Sequence, residues 1–409
     1  MADELCVLLP NGVTSTFGGK AHNLGKLCSW GYNVPSGIAI SSKVYLNFLR
    51  DTGLGDQLER LVSALTYKDL EAVGALSKRV SAAFQRVHWD KESLELQPVL
   101  QWSKEKLFAV RSSGTIEDGK KASFAGQGST LLNVGGPVLV AAVRQVWASA
   151  WSIRNILYRQ EYKIPHQDFA MGVVIQEMLT PDFSGVIFTR DPRTGGKPIC
   201  EIIKGLGESL VSGATNPFPL DLDSPLPMIQ ELRQLGEYIE HDFEGPQDIE
   251  FAYAGGQLYV LQTRPITAME SKAHSGEPVT QEPAKHGVLI AKGLGASGGS
   301  AEGPVCKVVD TSLEIDCAAV PIKQGDILVT TMTTPAMMPL LSKASAVVTR
   351  YGGVTCHAAI ICREMHIPAV VGLGNVFDKI LQGMRVAVDG WVGEVYSLIS
   401  TLPGLGTPV

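Results

Sequence analysis

The sequence lacks several features that would assign it to a particular class of protein. No apolar run reaches the roughly 18 residues that a membrane-spanning helix needs, and residues 1–4 lack the charged-then-apolar order of a signal peptide. The seven cysteines show no disulfide spacing and no C-x-x-C pair. The net charge of −6, from 35 basic and 41 acidic residues, includes no basic stripe. We therefore expect a cytoplasmic protein that binds neither membrane nor nucleic acid.

The length and composition predict several folded domains. The chain has 409 residues, of which 45% are apolar and 19% charged, which suits two or three cores. The stretch 268–286 is polar, contains two prolines and has no periodicity, so it is predicted to be a flexible linker. It would separate a domain at 1–267 from a smaller one at 287–400, with a C-terminal tail at 401–409.

Both predicted domains mix helices and strands. Leu58, Leu61, Val62 and Leu65 form one apolar helix face, which is a core feature without functional meaning. Strands are predicted at 107–110, 172–176, 185–189 and 258–262 in the first domain, and at 303–305, 327–329 and 386–388 in the second. The pattern predicts a multidomain α+β or α/β protein whose first domain divides into two lobes.

The most informative motif surrounds His357. An apolar strand-like run at 346–349 leads to Gly352 and Gly353, and a helix-like run begins at His357 and stops before a second strand at 369–371. An imidazole at a helix N-terminus on a glycine-rich turn suits a phosphoryl group, because backbone N–H groups there favour an anion. The alternatives are a buried core histidine or, with Cys356 and Cys362, a zinc site.

Two segments of the first domain could hold phosphate groups. Lys20 follows two glycines, although the run is not a Walker A loop. Arg111 ends a strand before small hydroxyl residues and could clamp phosphate, or form a structural ion pair. The flexible segment 123–130 could close over phosphates or be a plain loop.

Two further strands could present metal ligands. Glu250 and Gln262 alternate with apolar residues on strands predicted to be neighbours, which would bring both to one face. Such oxygen ligands suit Mg²⁺ shared with substrate phosphates, and Arg264 beside them could neutralise developing charge. The alternative is an ion pair at a sheet edge.

In their order along the chain, these motifs resemble the phosphoenolpyruvate synthase and pyruvate phosphate dikinase family. The first domain resembles its ATP-grasp-type nucleotide-binding domain, and the second resembles its swivelling phosphohistidine domain. The matching runs are GGK (18–20), VPSGIAIS (34–41), VRSSGTIED (110–118), SFAGQ (123–127), GLGE (205–208), DIEF (248–251), QTRP (262–265), TTPAMMP (333–339) and GGVTCHAAII with REMHIPAVVG (352–372).

The resemblance implies a role for each matching residue. His357 matches the histidine that is phosphorylated, and Glu250 and Gln262 match the metal ligands. Eight positions match residues that bind ATP: Lys20, Arg111, Gly126, Thr130, Gln176, Glu177, Gln262 and Arg264. Lys20, Arg111 and Arg264 are also expected to act in catalysis. The implied cofactors are ATP and Mg²⁺. The implied reaction converts ATP to AMP and phosphate, with a phosphoryl group carried by His357 to a small-molecule acceptor.

The sequence also departs from that family. Longer relatives carry a pyruvate-binding barrel after the histidine domain, or a drug-binding domain between the two, and we expect neither here. Ala336 stands where many relatives have Asp. We therefore keep three hypotheses: an acceptor bound between the domains, an acceptor site on a separate subunit of a phosphoenolpyruvate-synthase-like enzyme, or a non-catalytic binding module gated by ATP.

Overall fold

A computed structural model describes residues 5–9, 13–63, 65, 70–90, 92–102, 106–115, 128–161, 163–266, 287–309, 317, 319–334 and 337–398. The predicted linker at 268–286, the tail at 401–409, Gly126 and Ala336 lie outside these residues.

The described strands, in chain order, are β1 (Cys6–Leu8), β2 (Gly37–Ile40), β3 (Leu107–Gly114), β4 (Thr130–Gly135), β5 (Met171–Glu177), β6 (Phe183–Phe188), β7 (Ile199–Lys204), β8 (Phe218–Leu220), β9 (Gln247–Ala254), β10 (Gln257–Pro265), β11 (Val288–Lys292), β12 (Leu294–Ser297), β13 (Ser300–Val308), β14 (Ile327–Thr330), β15 (Ala346–Thr349), β16 (Ala369–Val371), β17 (Arg385–Asp389) and β18 (Glu394–Ser397).

The described α-helices are α1 (Gly19–Ser29), α2 (Ser42–Asp51), α3 (Leu54–Ser63), α4 (Leu70–Arg86), α5 (Glu92–Glu95), α6 (Gln97–Trp102), α7 (Leu139–Ser149), α8 (Ile153–Glu161), α9 (Glu208–Val211), α10 (Pro227–Asp242), α11 (Met338–Leu341) and α12 (His357–Glu364). Within the described residues, no helix is both long and apolar enough to cross a bilayer.

The chain forms two compact units. The first comprises Met1–Asp182 with Ile249–Pro265, and the second comprises Phe183–Asp248 with Ile266–Val409. This mixture of helices and several sheets confirms the predicted multidomain α/β class. The predicted domain limits at 267 and 287 fall at or beside undescribed residues and stay a prediction.

The first unit is built on a five-stranded sheet of order β1-β2-β5-β3-β4. All of its strand pairs are antiparallel, and Arg111 on β3 lies opposite Val174 on β5 and Thr130 on β4. Helices of this unit bury an aromatic core, in which the ring of Phe48 lies 5.2 Å from that of Phe84 and 5.3 Å from that of Trp147. This core anchors the sheet that carries Arg111.

The second unit contains an eight-stranded sheet of order β11-β18-β17-β13-β14-β15-β16-β12. Its strands β13 to β16 are parallel to one another. Since the carboxyl ends of parallel strands meet at one edge of a sheet, the turns after β14 and β15 lie side by side. Strands β6, β7 and β8 of this unit pair antiparallel in that order.

The structure bears out the secondary-structure predictions. The predicted strand, helix and strand around His357 correspond to β15, α12 and β16. The other predicted strands lie in β3, β5, β6, β10, β13, β14 and β17, with Thr189 just beyond the end of β6. Leu58 and Val62 of the predicted apolar helix face are buried on α3 and Leu61 is partly buried there, whereas Leu65 lies beyond the end of the helix at Ser63. Strands β14 and β15 are buried at every residue and apolar except for a final threonine. Such continuous burial is typical of parallel strands inside a sheet that is covered on both faces.

Candidate active site

Arg111 is the centre of a polar cluster in the first unit. Its Nη2 lies 2.8 Å from Glu250 Oε2 and 2.6 Å from Gln262 Oε1. Its Nη1 donates to the Leu261 carbonyl at 2.8 Å and to Gln176 Oε1 at 3.3 Å. The sequence predicted that Glu250 and Gln262 would meet on one face of β9 and β10, and both do reach the same guanidinium nitrogen. Arg111 and Glu250 also form an ion pair with each other, which was the alternative to a ligand-binding role for these residues.

The cluster contains buried polar atoms that nothing in the described part of the chain satisfies. Arg111 Nε and Gln176 Nε2 are both buried and have no hydrogen-bond partner among the described residues. Gln176 is 3% exposed, so water has little access to it. Because buried polar groups in native proteins are nearly always hydrogen-bonded, these atoms indicate a polar ligand.

Lys20 lies in the first turn of α1, which contacts strands β3 and β10 of the Arg111 cluster. A Cβ at Gly18 would lie 2.0 Å from the Ser113 carbonyl oxygen, and Gly18 has a φ of +85°, so only glycine permits this close approach. Asn23 Nδ2 donates to the Thr263 carbonyl at 3.0 Å, which fixes α1 against β10. The glycines before Lys20 therefore position the helix that carries it.

The remaining predicted residues occupy the ends of the surrounding strands. Thr130 begins β4 opposite Arg111. Arg264 follows Thr263 on β10 and is half-buried. Glu177 ends β5 and forms a salt bridge with Lys106 at 2.5 Å. Glu177 is therefore held at the strand end by a lysine that the sequence did not single out.

The donor set of this cluster fits both groups that the sequence implies. Glu250 Oε2 and Gln262 Oε1 are oxygen donors within 2.8 Å of one point, the position of Arg111 Nη2. Hard oxygen donors of this kind suit Mg²⁺. The cationic side chains of Lys20 and Arg111 suit the phosphates of a nucleotide, and Gln176 Nε2, which has no partner among the described residues, suits another of its polar atoms.

A second cluster, in the second unit, surrounds His357. The imidazole is 5% exposed at the first position of α12, and its Nδ1 lies 2.9 Å from Thr333 Oγ1. Thr333 follows β14 and His357 follows β15, so the parallel strands bring the two together. This contact holds the imidazole ring in one orientation.

Glu201 on β7 holds the turn that precedes His357. Its carboxylate accepts hydrogen bonds from the backbone N–H groups of Val354 and Thr355 at 2.9 and 3.0 Å and from Thr355 Oγ1 at 2.5 Å. A Cβ on Gly353 would lie 2.2 Å from Glu201 Oε1, so this glycine makes room for the carboxylate. The sequence predicted unpaired N–H groups in this turn, but those of Val354 and Thr355 already donate to the Glu201 carboxylate.

The cysteines beside His357 are poor candidates for metal ligands. Burial raises the pKa of Cys356 to about 11 and that of Cys362 to about 12. Within the described residues, no group of three or more His, Cys, Asp or Glu side chains is arranged to hold a metal ion, which argues against the zinc alternative there.

Sequence reasoning missed three residues of these clusters. Thr333 lies in the run TTPAMMP, which was singled out without a role for that hydroxyl. Glu201 is a lone acid in the apolar strand ICEIIK, and a buried charge in such a strand is a usable signal. Lys106 carried no signal, since a lysine before a strand is ordinary.

Family models match most of the chain. The AMP/ATP-binding domain of pyruvate phosphate dikinase matches residues 14–229 and 220–285. The mobile domain of PEP-utilising enzymes matches residues 322–393. Together these matches include both clusters.

Curated relatives agree with the family models. A probable phosphoenolpyruvate synthase of Archaeoglobus fulgidus is 37% identical over 93% of this chain and 56% of its own length. A probable phosphoenolpyruvate synthase of Methanothermobacter thermautotrophicus is 35% identical over 93% of this chain and 61% of its own. The phosphoenolpyruvate synthase of Pyrococcus furiosus is 31% identical over 93% and 56%. The chain thus spans a little over half the length of these relatives.

Proposed function

Because the chain belongs to the phosphoenolpyruvate synthase and pyruvate phosphate dikinase family, we propose that it transfers a phosphoryl group from ATP to His357 and carries it to an acceptor. The observation that carries this proposal is the buried His357 at the start of α12, with its Nδ1 held by Thr333. An imidazole fixed in this way at an N-terminal turn is suited to act as a nucleophile.

The proposed first half-reaction uses residues of both clusters. The proposed reaction requires the tautomer that is protonated on Nδ1, the atom 2.9 Å from Thr333 Oγ1, and the Nε2 lone pair of His357 then attacks the β-phosphorus. AMP leaves with the electron pair of the broken P–O bond, and hydrolysis of the terminal phosphate releases inorganic phosphate. Lys20, Arg111 and Arg264 neutralise charge on the phosphates. Glu250 and Gln262 would hold Mg²⁺, which supplies further neutralisation when bound.

The proposal includes a finer description of the fold. We assign the segment 1–267 to an ATP-grasp-type nucleotide-binding domain with two lobes, and 287–400 to a swivelling phosphohistidine domain joined to it by the linker 268–286. Thr130, Gln176, Glu177 and the undescribed Gly126 would contact ATP. The support for these roles is the order of motifs along the chain and the buried Gln176 Nε2, which has no hydrogen-bond partner among the described residues.

The acceptor is proposed to be a small molecule. The relatives are named as phosphoenolpyruvate synthases, so pyruvate is the first acceptor to test. Whether the acceptor site belongs to this chain or to a separate subunit is decided by supplying candidate acceptors to the purified, labelled protein.

Incubation with ATP labelled separately at the β and γ positions tests the proposal directly. With Mg²⁺ present, we expect AMP as product and acid-labile β-label on the protein. The label should be lost in His357→Gln. It should be kept in His366→Gln, which changes an exposed histidine just after the end of α12. ADP with γ-label would contradict the dikinase chemistry. An absence of label with intact ATP binding would support the non-catalytic hypothesis.

A further inference from the structure

Arg111 lies between Glu250 and Gln262, the two residues that are proposed to hold Mg²⁺. One nitrogen, Nη2, lies 2.8 Å from Glu250 Oε2 and 2.6 Å from Gln262 Oε1. The guanidinium is 11% exposed and the Glu250 side chain 22%, so the positive charge and the carboxylate face each other in a mostly buried site. A single cationic group therefore satisfies the same two oxygen atoms that would coordinate Mg²⁺.

The charges in this site favour joint binding of the metal and the nucleotide. A divalent cation that joined Glu250 and Gln262 alone would lie beside the positive Arg111, and the repulsion is strong because the site is poorly solvated. If a nucleotide bound without metal and drew Arg111 to its phosphates, the negative Glu250 carboxylate would face those phosphates without a counter-charge. Only joint arrival gives every charge a partner of opposite sign.

We propose that Arg111 stands in for the metal in the ligand-free protein and exchanges Glu250 and Gln262 for the phosphates when Mg²⁺ and ATP bind together. The inference rests on the proposed function, since that function assigns the ligands. Arg111 Nε, buried without a partner among the described residues, indicates that the guanidinium is incompletely satisfied where it lies. The exchange makes Arg111 the source of a positive coupling between the two ligands, which by linkage acts equally in both directions.

The alternative is that Arg111 and Glu250 form a permanent structural pair and that the metal binds elsewhere. The two arrangements differ in what removal of the arginine does. If Arg111 competes with the metal, its removal exposes a carboxylate and an amide oxygen to metal without nucleotide. If the pair is structural, removal leaves the affinity for metal unchanged or lowers it.

The experiment measures Mn²⁺ binding without nucleotide, by the loss of the free-ion paramagnetic resonance signal. We expect Arg111→Met to bind Mn²⁺ at least about fivefold more tightly than the wild-type protein, the lower end of typical coupling between sites. Arg111→Lys, which keeps a positive charge, should gain clearly less. In Arg111→Met with Glu250→Gln the gain should disappear, because the exposed carboxylate is its source.

An unchanged or weaker Mn²⁺ affinity in Arg111→Met would overturn the inference, as would an equal gain in Arg111→Lys. Circular dichroism checks folding. Arg111→Gln, which is uncharged but polar, carries the same expectation and replaces Arg111→Met if that variant does not fold. The measurement needs neither ATP nor His357. Label on His357 with no gain of Mn²⁺ affinity would therefore reject this inference alone, and a gain without label would reject the proposed function alone.

Discussion

The Arg111 cluster and the His357 cluster hold their functional residues in opposite ways. Around Arg111 three of the four contacts join side chains, at 2.6 to 3.3 Å with Gln176, Glu250 and Gln262, and the fourth goes to the Leu261 carbonyl. Around His357 the stabilising contacts go largely to the backbone, because Glu201 binds two N–H groups of the preceding turn. Side-chain pairs can change partners when a ligand arrives, whereas a turn held by its backbone keeps one imidazole in place.

The second cluster has a further backbone clamp on the far side of the turn. Arg363, near the end of α12, donates to the carbonyls of Val354 and Ala296 at 3.0 and 2.9 Å. It is 3% exposed, so these bonds lie out of water. Glu201 and Arg363 together hold Val354 through both its N–H and its carbonyl. This rigidity suits a nucleophile that must meet a phosphorus atom in one geometry.

The largest expected effect comes from breaking the Arg111 cluster at Glu250. Among the described residues, Glu250 supplies the one carboxylate that contacts Arg111, and Glu250→Gln leaves an uncharged ligand set. We expect the rate of protein phosphorylation to fall about 100-fold or more, the usual effect of removing one electrostatic group of a site. Single-turnover labelling from ATP measures it. Glu231→Gln, on the exposed side of α10, serves as control, and an equal loss there would contradict the role of Glu250.

Breaking the backbone clamp at Glu201 should affect stability as well as activity. Glu201→Ala leaves two N–H groups and the Thr355 hydroxyl without their acceptor in a buried site. We expect the free energy of unfolding to fall by about 2–3 kcal/mol. Urea unfolding measures this change. Glu208→Ala, an exposed acid of the same unit, should change it little, and a comparable loss in both variants would argue against the clamp.

Thr333→Val sharpens the comparison, because it removes one side-chain contact and leaves the backbone clamp intact. The variant loses the bond to His357 Nδ1, which holds the imidazole in one orientation. A lost hydrogen bond of about 1.4 kcal/mol corresponds to a roughly tenfold slower labelling of His357, with a changed pH profile. Thr333→Ser should restore both. A normal rate and pH profile in Thr333→Val would mean that the hydroxyl has no part in the transfer.

The two clusters also differed in how far the sequence could predict them. The elements around His357 followed from local pattern, since an apolar run, two glycines and Pro368 fix a strand, a turn and a helix. Alternation along β9 and β10 likewise predicted that Glu250 and Gln262 converge. The roles assigned to these residues stay a prediction.

Contacts between distant segments could not be predicted. Glu201 meets Thr355 across 154 positions and Arg111 meets Glu250 across 139, and local periodicity contains no information about such pairs. Thr333 was equally hidden, because its contact depends on β14 and β15 being adjacent and parallel. Fold topology, rather than local pattern, supplies these partners.

The smallest expected effect concerns Arg159 and His166, a pair in the first unit. Arg159 Nε donates to His166 Nδ1 at 2.8 Å, and the His166 ring stacks on Trp151. Burial, with a contribution from the Arg159 charge, lowers the pKa of His166 from 6.5 to about 4. Between these two values the unfolded chain binds a proton that the folded chain excludes. The first unit should therefore lose stability as the pH falls through 6.5, and the loss should level off below about pH 4.

Urea unfolding at pH 7 and pH 5 measures this loss. After allowance for solvent screening at a half-buried ring, we expect about 1 kcal/mol between these pH values. His166→Gln keeps an acceptor for Arg159 but cannot titrate, so its stability should change less over the same range. His88→Gln, which alters an exposed histidine of the same unit, should retain the wild-type dependence. If His166→Gln retains it as well, the loss arises from other groups and the Arg159 pair has no part in it.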